Sequence, residues 1–184
     1  MKTILEQMVE AYQPKNNEEK RNVVKEVMQE ITLCALSKAG FFDVVAFYGG
    51  TALRTFYGLD RFSEDLDFSL MMKNKDFDLS TYVPSLKRIV QSFGLNVEVE
   101  IKHKTLDSAI QSAFLKGDTI EQFLLFYPND LVTGINKNEK VKIKFEIDNM
   151  PASLATYETK YRLLPMPYSI KLYDEASLFS GKIH

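Results

Sequence analysis

The sequence has no tryptophan and a single cysteine, Cys34, among its 184 residues. No disulfide can therefore form within the chain, as is usual for proteins of a reducing cytoplasm. No stretch approaches the roughly 20 apolar residues of a transmembrane helix, and the N-terminus has no apolar core long enough for a signal peptide. We therefore predict a cytoplasmic protein without a membrane partner, in which Cys34 is a small core residue.

The chain also lacks an excess of charge of either sign. Its formal net charge is −2, which argues against a strongly basic nucleic-acid binder but leaves room for a local basic patch. Lysines that could form such a patch are Lys102, Lys104, Lys137, Lys140 and Lys142.

What the sequence does contain is an ordinary globular composition, with 45% apolar and 26% charged residues. Predicted helices cover 17–39, 51–57, 79–93, 119–127 and the segment from Lys171 onward, and predicted strands cover 43–48, 65–70, 95–103, 109–117 and 140–148, with 159–169 extended. This alternation predicts an α/β (α+β) fold, a mixed β-sheet flanked by helices. We expect one domain overall, with N-terminal helices in 1–39 packing on a core formed by 40–184.

A glycine pair, Gly49 and Gly50, separates a predicted strand from a predicted helix. Glycine lets the backbone approach a ligand closely, and a helix N-terminus offers free N–H groups to a phosphate. Thr51 adds a hydroxyl at the same place. An ordinary tight turn would explain the same residues, and the pattern fits neither the P-loop nor the dinucleotide-binding fingerprint.

Two aspartates, Asp65 and Asp67, lie two residues apart in the predicted strand that follows. Residues at this spacing face the same way, with Cα atoms roughly 6.5 Å apart. Their carboxylates can converge on a divalent cation, and Mg²⁺ prefers such oxygen ligands. An exposed acidic strand face is the alternative, although strands are poor in aspartate.

A third carboxylate is expected from a neighbouring strand, and the segment KIKFEID offers Glu146 or Asp148. Lys142 and Lys144 lie on the same face of this strand. The pattern alone is therefore equally typical of an ordinary solvated face.

Taken together, these residues resemble a known family. The stretch GGTALRTFYGLDRFSEDLDF is similar to the AbiEii/AbiGii and MenT group of toxin nucleotidyltransferases, within the polymerase-β-like nucleotidyltransferase superfamily. The segments KIKFEID and YDEASLFSGKIH resemble later blocks of the same group. The resemblance covers about residues 40–184, and its first block is the specific one.

The resemblance implies transfer of a nucleoside monophosphate from an NTP, with release of pyrophosphate. Asp65 and Asp67 would hold two Mg²⁺ (or Mn²⁺) ions, and Glu146 would help to hold the second ion or act as general base, with Asp148 in reserve.

The same resemblance assigns the phosphates to the glycine pair. Gly49, Gly50 and Thr51 would bind the β- and γ-phosphates, while Arg61 and Ser63 would orient the triphosphate or the aspartates. From the residues alone, Arg61 is equally well explained by a salt bridge within its loop.

The C-terminal block implies one more functional group. Lys182 would neutralise charge on the phosphates, and Glu175 would position its neighbours, since Lys171, Glu175 and Lys182 share a face of the predicted last helix. In the family a further helical region with an Arg-Asp-x-Tyr-Asp-like element follows this lysine. That region is not in this sequence, which we therefore expect to be part of a longer protein.

The resemblance also implies partners. Members of the group modify RNA, notably the 3′ end of tRNA, and act beside a separately encoded antitoxin protein. Two other functions fit the residues: a D-x-D glycosyltransferase that uses a nucleotide sugar, and an inactive nucleotidyltransferase-like binding module.

Overall fold

The computed structural model describes residues 1–102 and 110–183, with the backbone alone for 181–183. The helices in this part of the chain are α1 (Ile4–Glu10), α2 (Asn17–Lys38), α3 (Gly49–Tyr57), α4 (Val83–Ser92), α5 (Thr119–Phe126) and α6 (Glu175–Ile183). The strands are β1 (Val45–Tyr48), β2 (Asp65–Leu70), β3 (Val97–Lys102), β4 (Ile110–Asp118), β5 (Lys140–Asp148), β6 (Tyr157–Arg162) and β7 (Tyr168–Tyr173). The predicted α/β (α+β) class is confirmed.

The strands form one mixed sheet in the order β3-β4-β5-β2-β1-β7-β6. Its centre is β2, which pairs antiparallel with β1 and parallel with β5. The pair β1–β7 is parallel, and the outer pairs β3–β4, β4–β5 and β6–β7 are antiparallel. The D-x-D motif and the third acid therefore lie on the adjacent strands β2 and β5, and the glycine pair directly follows β1 on the other side of β2.

Helix α2 covers one face of the sheet. It begins after Asn16, whose side chain accepts a hydrogen bond of 2.9 Å from the N–H of Glu19, a typical N-cap. Its apolar stripe is buried against β5, β7 and α4. Cys34 is fully buried there, and burial raises the pKa of its thiol to about 11, which confirms it as a core residue. No helix in the described part of the chain has both the length and the apolar character needed to cross a bilayer.

The C-terminal segment corrects one prediction. A helix is predicted from Lys171, but β7 continues to Tyr173 and α6 begins only at Glu175. Burial alternates along β7, as in a strand, because Tyr168, Ile170 and Leu172 are buried in the core. The neighbouring strand β6 supplies the hydrogen-bonding partners.

Asp174 then starts the helix by accepting a hydrogen bond of 2.9 Å from the N–H of Ser177. Lys171 therefore lies on a strand. The prediction that Lys171, Glu175 and Lys182 share one face of a helix is wrong.

Candidate active site

Helix α3 begins at the glycine pair itself, two residues earlier than the sequence predicts. Gly49 has φ +85°, in the left-handed region, and a Cβ at this position would lie 2.6 Å from Oδ2 of Asp67. Glycine is required both by this backbone conformation and by the close approach of the carboxylate. The free N–H groups of the first turn of α3 therefore lie beside the D-x-D pair.

The acids are brought together by the register of the central strands. Asp67 of β2 lies directly opposite Glu146 of β5, and Asp65 lies opposite Lys144. All four side chains are on the face of the sheet that α2 does not cover. Paired strands are about 4.8 Å apart, so the carboxylates from the two strands can share a cation.

The clustered carboxylates repel one another, so the site favours binding of a cation. The pKa of Asp67 is raised to about 6, first by burial and then by repulsion from Asp65 and Glu146, with Lys144 acting in the opposite direction. Burial, followed by the charge of Asp67, also raises the pKa of the neighbouring Tyr48 hydroxyl to about 12. A bound divalent cation would reverse the sign of this interaction for all the carboxylates.

The donor set fits Mg²⁺ or Mn²⁺ in its chemistry, because it consists of carboxylate oxygens on adjacent strands. Asp65, Asp67 and Glu146 are the residues that could hold the ion. Among the residues that the structure describes, no three metal-ligating side chains already converge on one point. Glu146 is instead engaged with the Nζ of Lys144 at 2.8 Å.

Thr51 and Ser63 fix the geometry of this corner. Thr51 is buried, its hydroxyl donates to the main-chain carbonyl of Asp65, and the Thr51 and Ser63 hydroxyls lie 2.8 Å apart. A Cβ on Gly50 would lie 3.2 Å from the Ser63 Oγ. These side chains therefore tie the start of α3 to the start of β2.

Gln29 of α2, which the sequence did not single out, completes this support. Its buried amide donates to the carbonyls of Ser63 at 2.9 Å and Glu64 at 3.0 Å. An ion pair between Arg54 and Glu26 joins α3 to the same helix. A glutamine in an amphipathic helix gives no sequence signal for partners 34 and 35 positions away.

The other predicted residues lie at varying distances from the acids. Arg61 is exposed and forms no ion pair with the part of the chain described here, so the alternative explanation of Arg61, a salt bridge within its loop, is not seen there. Asp148 lies one step beyond Glu146 on the same face, opposite Ser69, and accepts a hydrogen bond of 2.8 Å from the N–H of Met150. The backbone of Lys182 is in the last turn of α6, and its side chain lies outside the described part of the molecule.

A cavity of about 260 Å³ opens between α3, α6 and the end of β5. Gly49, Gly50, Asp148, Tyr173 and Ser177 contribute to its lining. Drug-sized ligands usually occupy about 300–1,000 Å³, so this cavity matches part of an NTP rather than all of it.

An aromatic pair contributes to the lining of the cavity. The rings of Tyr48 and Tyr173 stack at 5.2 Å. Sequence reasoning missed this pair, and the only signal for it was the position of Tyr48 immediately before the glycines.

The predicted basic patch is mixed in charge. Lys142 is exposed, but Lys140 pairs with Asp118 at 3.4 Å and Lys102 with Glu100 at 3.6 Å. Lys137 is exposed in the loop before β5, and Lys104 lies outside the described residues.

Comparison with solved structures identifies the class of fold. A crystal structure of a candidate nucleotidyltransferase from H. pylori matches 92% of this chain with a TM-score of 0.54 at 17% identity. The JHP933 protein of Helicobacter pylori matches 89% of it with a TM-score of 0.53 at 18% identity. At this level of identity the likeness shows a shared fold. The match spans 59% and 56% of those two chains.

The family is shown by sequence. Residues 31–184 match the model of the family described as nucleotidyl transferase AbiEii toxin, type IV TA system, and the chain belongs to this family. A search of curated proteins finds no significant match.

Proposed function

We propose that this chain is the nucleotide-binding part of an Mg²⁺-dependent nucleotidyltransferase, which moves a nucleoside monophosphate from an NTP to an acceptor hydroxyl. The observation that carries the proposal is the meeting of three features at one corner of the sheet. Asp67 lies opposite Glu146, beside Asp65, and is in near contact with Gly49 at the start of α3.

Asp65, Asp67 and Glu146 are the residues that would hold Mg²⁺ or Mn²⁺. When bound, the metal neutralises triphosphate charge and lowers the pKa of the attacking hydroxyl. Hydrogen bonds fix the main chain next to the two aspartates. Gln29 donates to the carbonyls of Ser63 and Glu64, and Thr51 donates to the carbonyl of Asp65.

The β- and γ-phosphates fit the first turn of α3. The backbone N–H groups of Gly49, Gly50 and Thr51 would bind them, while the Thr51 hydroxyl is engaged with the carbonyl of Asp65. Arg61 and Lys182 would add positive charge to the triphosphate, and Ser63 would orient it through Gly50 and Thr51.

The transfer step is an in-line displacement. The acceptor oxygen forms a bond to the α-phosphorus, and the bond from this phosphorus to the oxygen bridging to the β-phosphorus breaks. Pyrophosphate leaves with the electron pair. The hydroxyl proton passes to a carboxylate, Glu146 or in reserve Asp148, and then to solvent.

Family membership supports the biological setting of a toxin–antitoxin system. We propose that the acceptor is RNA, in particular the 3′ end of tRNA, and that the protein acts in the cytoplasm as the toxin of a toxin–antitoxin system with a cognate antitoxin protein. Lys142 on β5 and Lys137 in the loop before it are exposed and would meet acceptor phosphates.

The first test is thermal unfolding of the chain with each NTP and Mg²⁺. A ligand at about 100 times its Kd stabilises the folded state by about 2.7 kcal/mol, which corresponds to a rise in Tm of roughly 5–10 °C. We expect this rise in the wild type and its loss in the Asp65→Ala/Asp67→Ala variant. Asp76→Ala, at an exposed loop position, is the matched control and should keep the rise.

Two outcomes would contradict the proposal. A rise with nucleotide sugars and Mn²⁺ but with no NTP would indicate a D-x-D glycosyltransferase. No rise with any nucleotide, either in this chain or in one extended at its C-terminus, would indicate an inactive binding module. Transfer of label from an α-phosphate-labelled NTP to tRNA, absent in the double variant, tests the acceptor.

A further inference from the structure

We propose that Lys144 is a positioning residue that holds Glu146 in an ion pair while the acid site is free of metal, and thereby weakens the site's affinity for Mg²⁺. The inference rests on the proposed function, because it concerns the same three carboxylates. Lys144 was not among the residues that the sequence assigned to the site.

The position of Lys144 within the sheet brings it among the acids. It precedes Glu146 by two residues on β5, so both side chains are on the same face. Its Nζ lies 2.8 Å from Oε1 of Glu146, and its partner across the strand pair is Asp65. Lys144 therefore contacts one proposed metal ligand and lies beside another.

The ion pair is partly shielded from water. The side chains of Lys144 and Glu146 are 36% and 27% exposed. An ammonium held here opposes an arriving cation in two ways. It reduces the negative charge of the cluster, and it occupies an oxygen of Glu146 that the metal would use.

Removal of this ammonium should therefore tighten metal binding. One unit charge acting on a divalent cation across about 6 Å of solvent-like medium changes affinity about tenfold. We expect Mg²⁺ to bind Lys144→Met roughly three- to tenfold more tightly than the wild type in the absence of nucleotide.

The same strand provides a matched control. Lys142 lies two residues earlier on the same face, is exposed, and forms no ion pair with the described residues. Lys142→Met removes the same charge farther from the acids and should change the Mg²⁺ dissociation constant less than twofold. Lys144→Arg keeps the ion pair and should restore the wild-type affinity.

The experiment is titration of the unliganded chain with Mg²⁺, and separately with Mn²⁺, by isothermal calorimetry. Circular dichroism and the Tm of each variant establish that it is folded. Tighter binding in Lys144→Met, with Lys142→Met and Lys144→Arg close to wild type, is the expected result.

Equal affinity in Lys144→Met and the wild type would overturn this inference. So would an equal gain in Lys144→Met and Lys142→Met, since that would reflect overall charge only. If binding in the wild type depends on Asp65 and Asp67, either result leaves the proposed function intact. If no variant binds a divalent cation, with or without NTP, both the inference and the proposed function fail.

Discussion

The two faces of strand β2 differ in what covers them. Leu66 and Phe68 point toward α2 and are fully buried, with Phe68 in contact with the rings of Phe41 and Phe47. Asp65 and Asp67 point the other way, where Asp65 is exposed and Asp67 partly buried. One six-residue strand therefore belongs both to the core and to the candidate site.

This difference shows where stability and function lie in the molecule. Burial of Phe68 stabilises the fold, because apolar area is removed from water. Burial of Asp67 beside two other carboxylates raises the free energy of its ionised form, as its raised pKa indicates. Substitutions on the two faces should therefore have opposite effects on stability.

Phe68→Ala should give the largest effect. Removal of a fully buried phenylalanine ring typically lowers the free energy of unfolding by about 3–5 kcal/mol, because it leaves a cavity. Urea unfolding measures this loss. Phe179→Ala, at a position that is 48% exposed, is the control and should cost less than about 1 kcal/mol. Similar losses at both positions would contradict the assignment of Phe68 to the core.

Gly49→Ala should cause the next largest loss of stability. Gly49 lies where the start of α3 meets Asp67. The left-handed conformation costs an alanine roughly 1–2 kcal/mol, and its Cβ would also collide with Asp67 Oδ2.

Gly58→Ala separates these two costs. Gly58 has φ +70°, but a Cβ there meets no atom within 4 Å. We expect Gly49→Ala to lose about 1 kcal/mol more than Gly58→Ala, and also to weaken the thermal response to NTP. Equal losses would mean that the contact between Gly49 and Asp67 is unimportant.

The sequence predicted the buried face of the sheet well because that face follows simple periodicity. Alternation in β2 and β5 and the helical stripe of α2 are the direct result of burial on one side. The pattern failed at residues 171–173, where the end of an alternating strand directly precedes a helix and the two periods overlap.

The site was only partly predictable. The spacing of Asp65 and Asp67 shows that they share a face, and the resemblance indicated Glu146, whose place opposite Asp67 depends on strand pairing that no local pattern encodes. The supporting residues Gln29 and Tyr173 act through contacts between elements, and Lys144 lies beside Asp65 only through the pairing of β2 and β5. These roles become visible only in the fold.

Gln29→Met should have a smaller effect on stability than Phe68→Ala or Gly49→Ala. It removes the donor to the Ser63 and Glu64 carbonyls while nearly keeping the side-chain volume, and we expect a loss of about 1–2 kcal/mol. Gln91→Met, at an exposed position of α4, is the control and should be nearly neutral. If Gln29 supports the aspartates, its variant also requires more Mg²⁺ for the same NTP-induced rise in Tm. An unchanged Mg²⁺ requirement would restrict its role to stability.

Asp67→Asn should change stability by no more than Gln29→Met does, and in the opposite direction. In the metal-free folded protein the pKa of Asp67 is about 6, whereas the pKa of an unperturbed aspartate side chain is 3.8. Protonation therefore favours the folded state at low pH, and this contribution is lost as the pH rises from about 4 to 6. Asparagine does not titrate, so the variant should be about 1–2 kcal/mol more stable than the wild type at pH 7.5, allowing for screening by solvent.

The difference between the two proteins, measured by urea unfolding in EDTA, should nearly vanish at pH 4. The comparison uses this difference because carboxylates such as Asp118 and Glu139, whose pKa values are lowered by hydrogen bonds, give slopes of the opposite sign in both proteins. If the difference in stability does not depend on pH, the ionised form of Asp67 does not destabilise the folded state. Saturating Mg²⁺ should reverse the order of stability, because the wild type gains a ligand that the variant binds poorly.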